Sequence, residues 1–416
     1  MKKLILLCVC LLLSVPCQAQ IFTVDDDGPA DFNNIQDAIN YSWHGDTVMV
    51  KPGSYNENIY FNGRAITLQS TNPDDFNVVS QTHINGYQGY TEGAVVFDFM
   101  EGPDSILTGF TITGIIGVRC YASAPTIKKN FITACFRSGI YGAYAASPTI
   151  CHNLITYNDG TIEDKLVVGG GIRGCHGLIA NNIIGWNQTR EISGNTGYGG
   201  GLYDCQGTIK NNTIVNNSSH YGSAIADCHG SIVNNIIAYN ETVHTVMGGS
   251  IYGSAENHHN CFFMNQGGHF AGGCFAGPGD FASDPFFNAP AKRDFHLKSA
   301  TGRWDPNSQK WIQDDVNSPC IDAGDPNSEW TAEIWPHGQR INIGAYGGTP
   351  EASMSSSAIG NIADLNRDGI VNLIDYSYLI QHWQVEGILL SEDLNLDKHI
   401  NSIDLSIFVD NWLWNQ

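Results

Sequence analysis

Between residues 47 and 265 the apolar positions come in runs of three to five, rich in Ile, Val and Thr. Such runs are too short for helices and suit strands of a pleated surface. They also repeat. PTIKKNFITACF at 125, PTICHNLITYND at 148, GLIANNIIGWN at 177, GTIKNNTIVNN at 207 and GSIVNNIIAYN at 230 share one pattern. Each has Ile or its equivalent, two variable residues, Asn, then a short apolar run. The Asn positions are 130, 153, 182, 212 and 235, at spacings of 23, 29, 30 and 23. The register extends backward through Gly109, Asn85 and Asn62, and forward to Asn260. Repeats of this length with several short strands and no helix wind as a solenoid. The fold class expected is therefore all-β: a right-handed parallel β-helix over residues 20–280. A propeller blade would need about 40 residues per repeat.

Asn tolerates the left-handed backbone conformation, as Gly does. The repeating Asn is expected to take that conformation at a bend, its amide bonding its neighbours up the column. A second column is expected from GVRC, GIRGC, GLYDC and SAIADC, which place Cys120, Cys175, Cys205 and Cys228 at corresponding positions. Stacked inside the coil, these thiols read as small apolar core residues rather than metal ligands. The segment from Asn33 to Trp43 carries Ile35, Ala38 and Ile39 at helical spacing, and is expected to cap the first rung. Residues 281–352 close the β-helix, and SMSSS within 353–359 reads as a flexible linker.

Charge narrows the partners. Against 20 Lys+Arg stand 41 Asp+Glu, a net −21, which argues against nucleic acid or an anionic membrane surface. Residues 1–19 have the basic start, apolar stretch and small-residue end of a cleaved export signal, so the protein is expected to be secreted, extracellular or surface-held, with no transmembrane anchor in the mature chain. Of twelve Cys, three leave with this leader, and nine cannot pair completely. Cys261 and Cys274 are the pair to test for a disulfide.

The opening IQDAINYSWHGDTVMVKPGSYNENI and the stretch ILTGFTITG at 106–114 resemble secreted β-helix proteins related to pectate lyases. SPCIDAGDPNS at 318–328 with RINIGAYGGTPEAS at 340–353 resembles the closing module of the choice-of-anchor Q type. These resemblances span most of residues 21–353 and imply fold, not one activity, since the group holds lyases, hydrolases, epimerases and proteins of no known activity.

Beyond the linker, Asp364, Asn366, Asp368, Asn372 and Asp375 fall at positions 1, 3, 5, 9 and 12 of a calcium loop, with Gly369 at 6 and the Ile370 carbonyl at 7. Twenty-nine residues on, Asp393, Asn395, Asp397, His399, Asn401 and Asp404 repeat the pattern, with Lys398 in place of the glycine. The spacing therefore implies two Ca2+ sites, the second weaker. Residues 360–416 resemble a type I dockerin, whose loops end in Asp and are each followed by one helix. The resemblance implies a cohesin-like or cell-surface partner. Loop positions 10 and 11, here Leu373-Ile374 and Ser402-Ile403, depart from the usual Ser/Thr pairs.

Insertions at 158–170, 188–200 and 241–249 each precede a Gly-rich restart of the coil and are expected to wall one face. Beside them, alignment on Cys stacks Gly174, Asp204 and Asp227 in one column and His176, Gln206 and His229 in another, with Arg173 alongside. Carboxylates on adjacent rungs suit acid/base or nucleophilic glycoside chemistry. Asp204 and Asp227 are accordingly the candidate catalytic pair, with Arg173, His176 and His229 as candidate substrate-binding residues. The expected function is binding, with or without cleavage, of an extracellular polysaccharide by a lyase or glycoside hydrolase. The alternative is a non-catalytic surface or adhesive rod.

Overall fold

The computed structural model describes residues 19–86, 93–163, 166–189, 196–243, 248–253, 256–357 and 359–416. The leader lies outside them, as do residues 164–165, 190–195 and 244–247 of the three insertions. Three parallel sheets of 10, 9 and 10 strands run the length of the solenoid. Each coil contributes one short strand to each sheet, and the inward residue of every strand stacks on its equivalent in the next coil. Leu107, Ile127, Ile150, Ile179, Ile209 and Ile232 form one such column. Ile112, Ile132, Ile155, Ile184, Ile214 and Ile237 form another. All twelve are fully buried, so the core is a stack of aliphatic layers about 4.8 Å apart.

The helix α1 (Ile35–Tyr41) buries Ile35, Ala38 and Ile39 over the open end, as its spacing predicted. Asn34 caps it, and the Glu57 carboxylate accepts the N–H groups of Ile35 and Gln36. The strands start before this helix, not after it: Ile21–Val24 already pairs with Thr47–Val50.

The corners correct the expected role of asparagine. The left-handed residues are Gly109, Lys129, His152, Asn181, Asn211, Asn234 and His259, each one place before the ladder position. The ladder residues Asn130, Asn153, Asn182, Asn212, Asn235 and Asn260 turn inward instead. Asn130 accepts from Phe110 N–H, and each of the others accepts from the backbone N–H and side-chain amide of the coil before it, as Asn182 does from Asn153 at 2.9 and 3.0 Å. The column ends on Asp280, which accepts from Asn260. Asn85 instead ends a strand of the third sheet, and Asn62 follows one of the second, so neither joins it. A second ladder, unforeseen from sequence, runs through Asn158, Asn187, Asn217, Asn240 and Asn265 at the next corner. Its left-handed residues again precede the Asn.

The third corner carries cysteines. Cys175, Cys205 and Cys228 follow left-handed Gly174, Asp204 and Asp227, and each thiol donates to the carbonyl two residues back at 3.4 Å. Burial pushes the thiols of Cys175 and Cys228 well above their ordinary range, which suits packed side chains. Cys120 does not share their position. It sits within its strand, opposite Gly142, one place earlier than the others.

The closing segment folds back along the outside of the third sheet. There Ile236, Cys261, Phe287, Phe295, Leu297, Cys320 and Ile343 form a second core. Asn181 and Asn211 point their amides outward onto the carbonyls of Ala345, Gly347 and Asn342, and Gly344 N–H reaches Asn234 O at 2.9 Å. Gly344 has φ +98°, and a Cβ there would lie 2.7 Å from Ile236 Cδ1, so only glycine approaches this closely. The serine stretch expected as a linker is largely packed. Ser353 and Ser355 are buried, and Met354 pairs with Gly302 and Ser299.

The C-terminal module has its own small core of Ala363, Val371, Leu379, Leu394, Ile400 and Phe408. It touches the closing segment through Arg367, whose guanidinium donates to Glu333 O at 2.8 Å and lies 5.4 Å from the Trp330 ring centre. The Glu333 side chain is itself buried, which pushes its carboxyl up to about 8. Among the described residues, no helix is long and apolar enough to cross a membrane.

Candidate functional site

The second sheet turns outward a column of large polar side chains interrupted by one alanine. Arg119, Tyr141, Arg173, Tyr203, Ala226 and Tyr252 follow one another in register. Alternation puts them opposite the aliphatic column, since successive strand residues face opposite sides. Arg173 is only 8% exposed and lies 4.9 Å over the Tyr141 ring. It underpins this face and forms little of its surface. Tyr198 comes from a three-stranded sheet built by the first two insertions, residues 161–163, 166–168 and 196–198. Its ring stacks on Tyr221 with centres 5.0 Å apart and planes 21° from parallel. Tyr252 lies 5.1 Å from Tyr221 and 5.9 Å from Tyr198, and Tyr203 closes the group 6.5 Å from Tyr198. Four half-buried tyrosines thus meet beside the wall of insertions.

Both candidate carboxylates border this cluster. Asp204 N–H reaches Ala226 O at 3.1 Å and Asp227 N–H reaches Tyr252 O at 2.9 Å, so they stack one rung apart as expected, with Gly174 in the rung before. Their φ values of 53° and 50° make them left-handed corner residues, a conformation Asp tolerates. Gln206 ties the column together, donating to Asp204 Oδ1 at 2.7 Å and Asp227 O at 3.3 Å. His176 Nδ1 accepts from Gln206 N–H, and Gln206 Oε1 accepts from His229 N–H, which forms the second expected column. Burial pushes the Asp227 carboxyl up, as Asp204 does beside it, against the opposing pull of His229. Burial also raises the Tyr198 and Tyr203 phenols, which therefore stay protonated and able to donate.

Sequence reasoning missed Tyr221 and Tyr252. The signal was present: GGSIYG at 248–253 repeats the restart GGGLYD at 199–204, tyrosine for tyrosine. Tyr157 and Trp186 lie on a different face, where Arg293 stacks on both at 5.2 and 5.9 Å. Tyr144 packs on Tyr121.

In the C-terminal module, each acidic loop runs into one helix: α3 (Leu373–Gln381) and α4 (Ser402–Asp410). Asp364 accepts from Asp368 and Gly369 N–H, and Asp393 accepts in the same way from Asp397 and Lys398 N–H. Asp375 and Asp404 are fully buried and cap their helices in matching boxes with Asn372 and Asn401. This duplicated geometry coincides with a family match: residues 362–409 match the dockerin type I domain. Residues 127–324 match the family described as disaggregatase related. The chain joins a disaggregatase-related β-helix to a type I dockerin domain. No curated protein matches it.

The dockerin loops fit a hard cation. Burial, then Asp375 and Asp368, push the Asp364 carboxyl up, and burial with Asp404 and Asp397 does the same for Asp393. Carboxylates gathered this closely repel unless a cation sits among them, and every side-chain donor offered by the first loop is a hard oxygen. Gly369 has φ 84° at loop position 6, whereas Lys398 takes 74° with a full side chain, a cost of about 1 kcal/mol. The dockerin domain also exposes Leu373, Ile374 and Ile403 at corresponding places on its two halves.

Proposed function

We propose that the protein is exported and binds an extracellular polysaccharide on the face formed by Tyr198, Tyr203, Tyr221 and Tyr252. The carrying observation is the convergence of four tyrosines with Asp204 and Asp227 beside the insertion wall. Phenol rings offer apolar faces to sugar C–H groups, and their hydroxyls with the two carboxylates offer partners to sugar hydroxyls. His176 and His229 extend the polar edge, and Arg173 holds Tyr141 from beneath. The dockerin domain attaches this platform to a cohesin-bearing surface or complex through Leu373, Ile374, Ser402 and Ile403. It does so with Ca2+ held by Asp364, Asn366, Asp368, Ile370 O, Asn372 and Asp375. Asp393, Asn395, Asp397, the backbone of His399, Asn401 and Asp404 hold a second ion.

A second reading adds cleavage. The raised carboxyl of Asp227 suits a proton donor to a leaving oxygen, with Asp204 as its ionised partner one rung away. Against it stands the corner geometry, which accounts for both aspartates without chemistry.

Affinity electrophoresis of the full chain, with calcium, through gels containing neutral or uronic-acid polysaccharides tests both readings. Retardation in at least one gel is the expected result, and none across the panel would sink the proposal. Release of reducing ends or of an unsaturated product, lost in Asp227→Asn, would add catalysis; binding without release leaves the rod.

A further inference from the structure

The second core contains two cysteines brought together from distant parts of the chain. Cys261 lies on the outer column of the third sheet, between Ile236 and Phe281. Cys320 belongs to the closing segment, and both are fully buried in the same apolar cluster. Their backbones are fixed independently. Cys261 N–H donates to Asn235 O, while Cys320 O accepts from Ile343 N–H, whose neighbour Gly344 donates to Asn234 O. Ser318 ties the same place from the other side, donating to Pro285 O at 2.7 Å and accepting from Cys320 N–H. Cys261 Sγ lies 3.4 Å from Ser283 O, two residues before that proline. Both thiols are free, and burial, then the neighbouring Cys261, push the Cys320 thiol well above its ordinary range. Cys274, by contrast, packs in the interior core of the coil, so the pair named from sequence, Cys261 and Cys274, is not the pair that meets.

We propose that Cys261 and Cys320 form a disulfide that fastens the closing segment to the β-helix. The inference rests on export to an oxidising compartment, where such bonds persist. In the reaction one thiolate attacks a small disulfide of the glutathione class, releasing one small thiolate and leaving a mixed disulfide; the second cysteine thiolate then attacks the protein sulfur of that bond and displaces the other small thiolate. One Sγ–Sγ bond forms, the oxidant's S–S bond breaks, and two electrons pass to it, with two protons leaving the cysteines. Both sulfurs are buried in the finished core, out of reach of the oxidant, so the bond forms during folding, before the closing segment seals the site. The other stacked thiols, Cys175, Cys205 and Cys228, each already donate to a carbonyl of their own strand.

The test is independent of export. Full-length protein is refolded in a mixture of reduced and oxidised glutathione, alkylated in denaturant, and digested without reduction. Peptide mass mapping is expected to find Cys261 joined to Cys320, with Cys175, Cys205 and Cys228 alkylated. A reductant then lowers the thermal midpoint by several degrees. Recovery of Cys261 and Cys320 both as alkylated thiols, or of Cys261 joined to Cys274, would overturn the proposal. Neither result touches glycan binding, which is read on the other face.

Discussion

Replacing Asn182 by leucine lowers the stability of the β-helix by about 4 kcal/mol. The side chain is fully buried, and its amide donates to Ile150 O, Ala180 O and Asn212 Oδ1. Its oxygen accepts both the backbone and side-chain N–H of Asn153. Leucine has similar volume, so little of the loss is cavity. What it leaves is a set of buried backbone groups without partners, each costing about 1–3 kcal/mol. Asn265, half-buried at the end of its ladder, gives the contrast: Asn265→Leu costs about 1 kcal/mol. Urea unfolding followed by circular dichroism measures both. Equal effects at the two positions would mean that the ladder is not what holds the coils in register.

Chelating calcium from the full chain melts α3 and α4 while leaving the β-helix folded. With calcium at a thousandfold its dissociation constant, binding contributes about 4 kcal/mol to the folded state, a large part of what so small a core can supply. Removal of the ion also leaves Asp364 and Asp393 buried among other carboxylates. Both carboxyls are raised in the ion-free fold, so proton binding partly replaces the ion. Without calcium the module is therefore more stable in acid and loses that stability as pH rises through their folded range. Hydrogen exchange over residues 373–381 and 402–410 reads the transition directly. Unchanged protection in excess chelator would contradict the assignment of the loops. Asp375→Ala is expected to weaken the first loop alone.

Much of this was legible because a solenoid repeats its physics in every turn. The Ile-x-x-Asn pattern exposed the coils, since one inward aliphatic residue and one corner amide recur in each. The same pattern misled about the corner itself. In NN pairs such as Asn181-Asn182 and Asn211-Asn212, the left-handed residue and the ladder residue are both Asn, and sequence does not distinguish which amide turns inward. His152-Asn153 and Lys129-Asn130 break the ambiguity only once the conformation is known. The second ladder was hidden because its left-handed corners, Tyr157, Trp186, Asn216, Tyr239 and Met264, share no side-chain type that would mark them in sequence. SMSSS looked flexible because serine is common in linkers, yet Ser353 and Ser355 are consumed by bonds to Leu297 O and the Asp322 carboxylate. The candidate carboxylates aligned correctly because the cysteines beside them set the register. Tyr198 and Tyr221 were out of reach of that alignment, because Tyr198 comes from an insertion and meets Tyr221 of the next coil only once that insertion folds back.

The most direct measurement of the glycan platform is titration calorimetry with an oligosaccharide from the polysaccharide that retards the protein most. Wild type is compared with Tyr203→Ala/Tyr252→Ala and with Trp43→Ala, an exposed aromatic near the capping helix. The platform predicts roughly a thirtyfold weaker association for the tyrosine variant, at about 1 kcal/mol per ring, and no change for the tryptophan variant. Equal affinity in all three would place the sugar elsewhere and contradict the account.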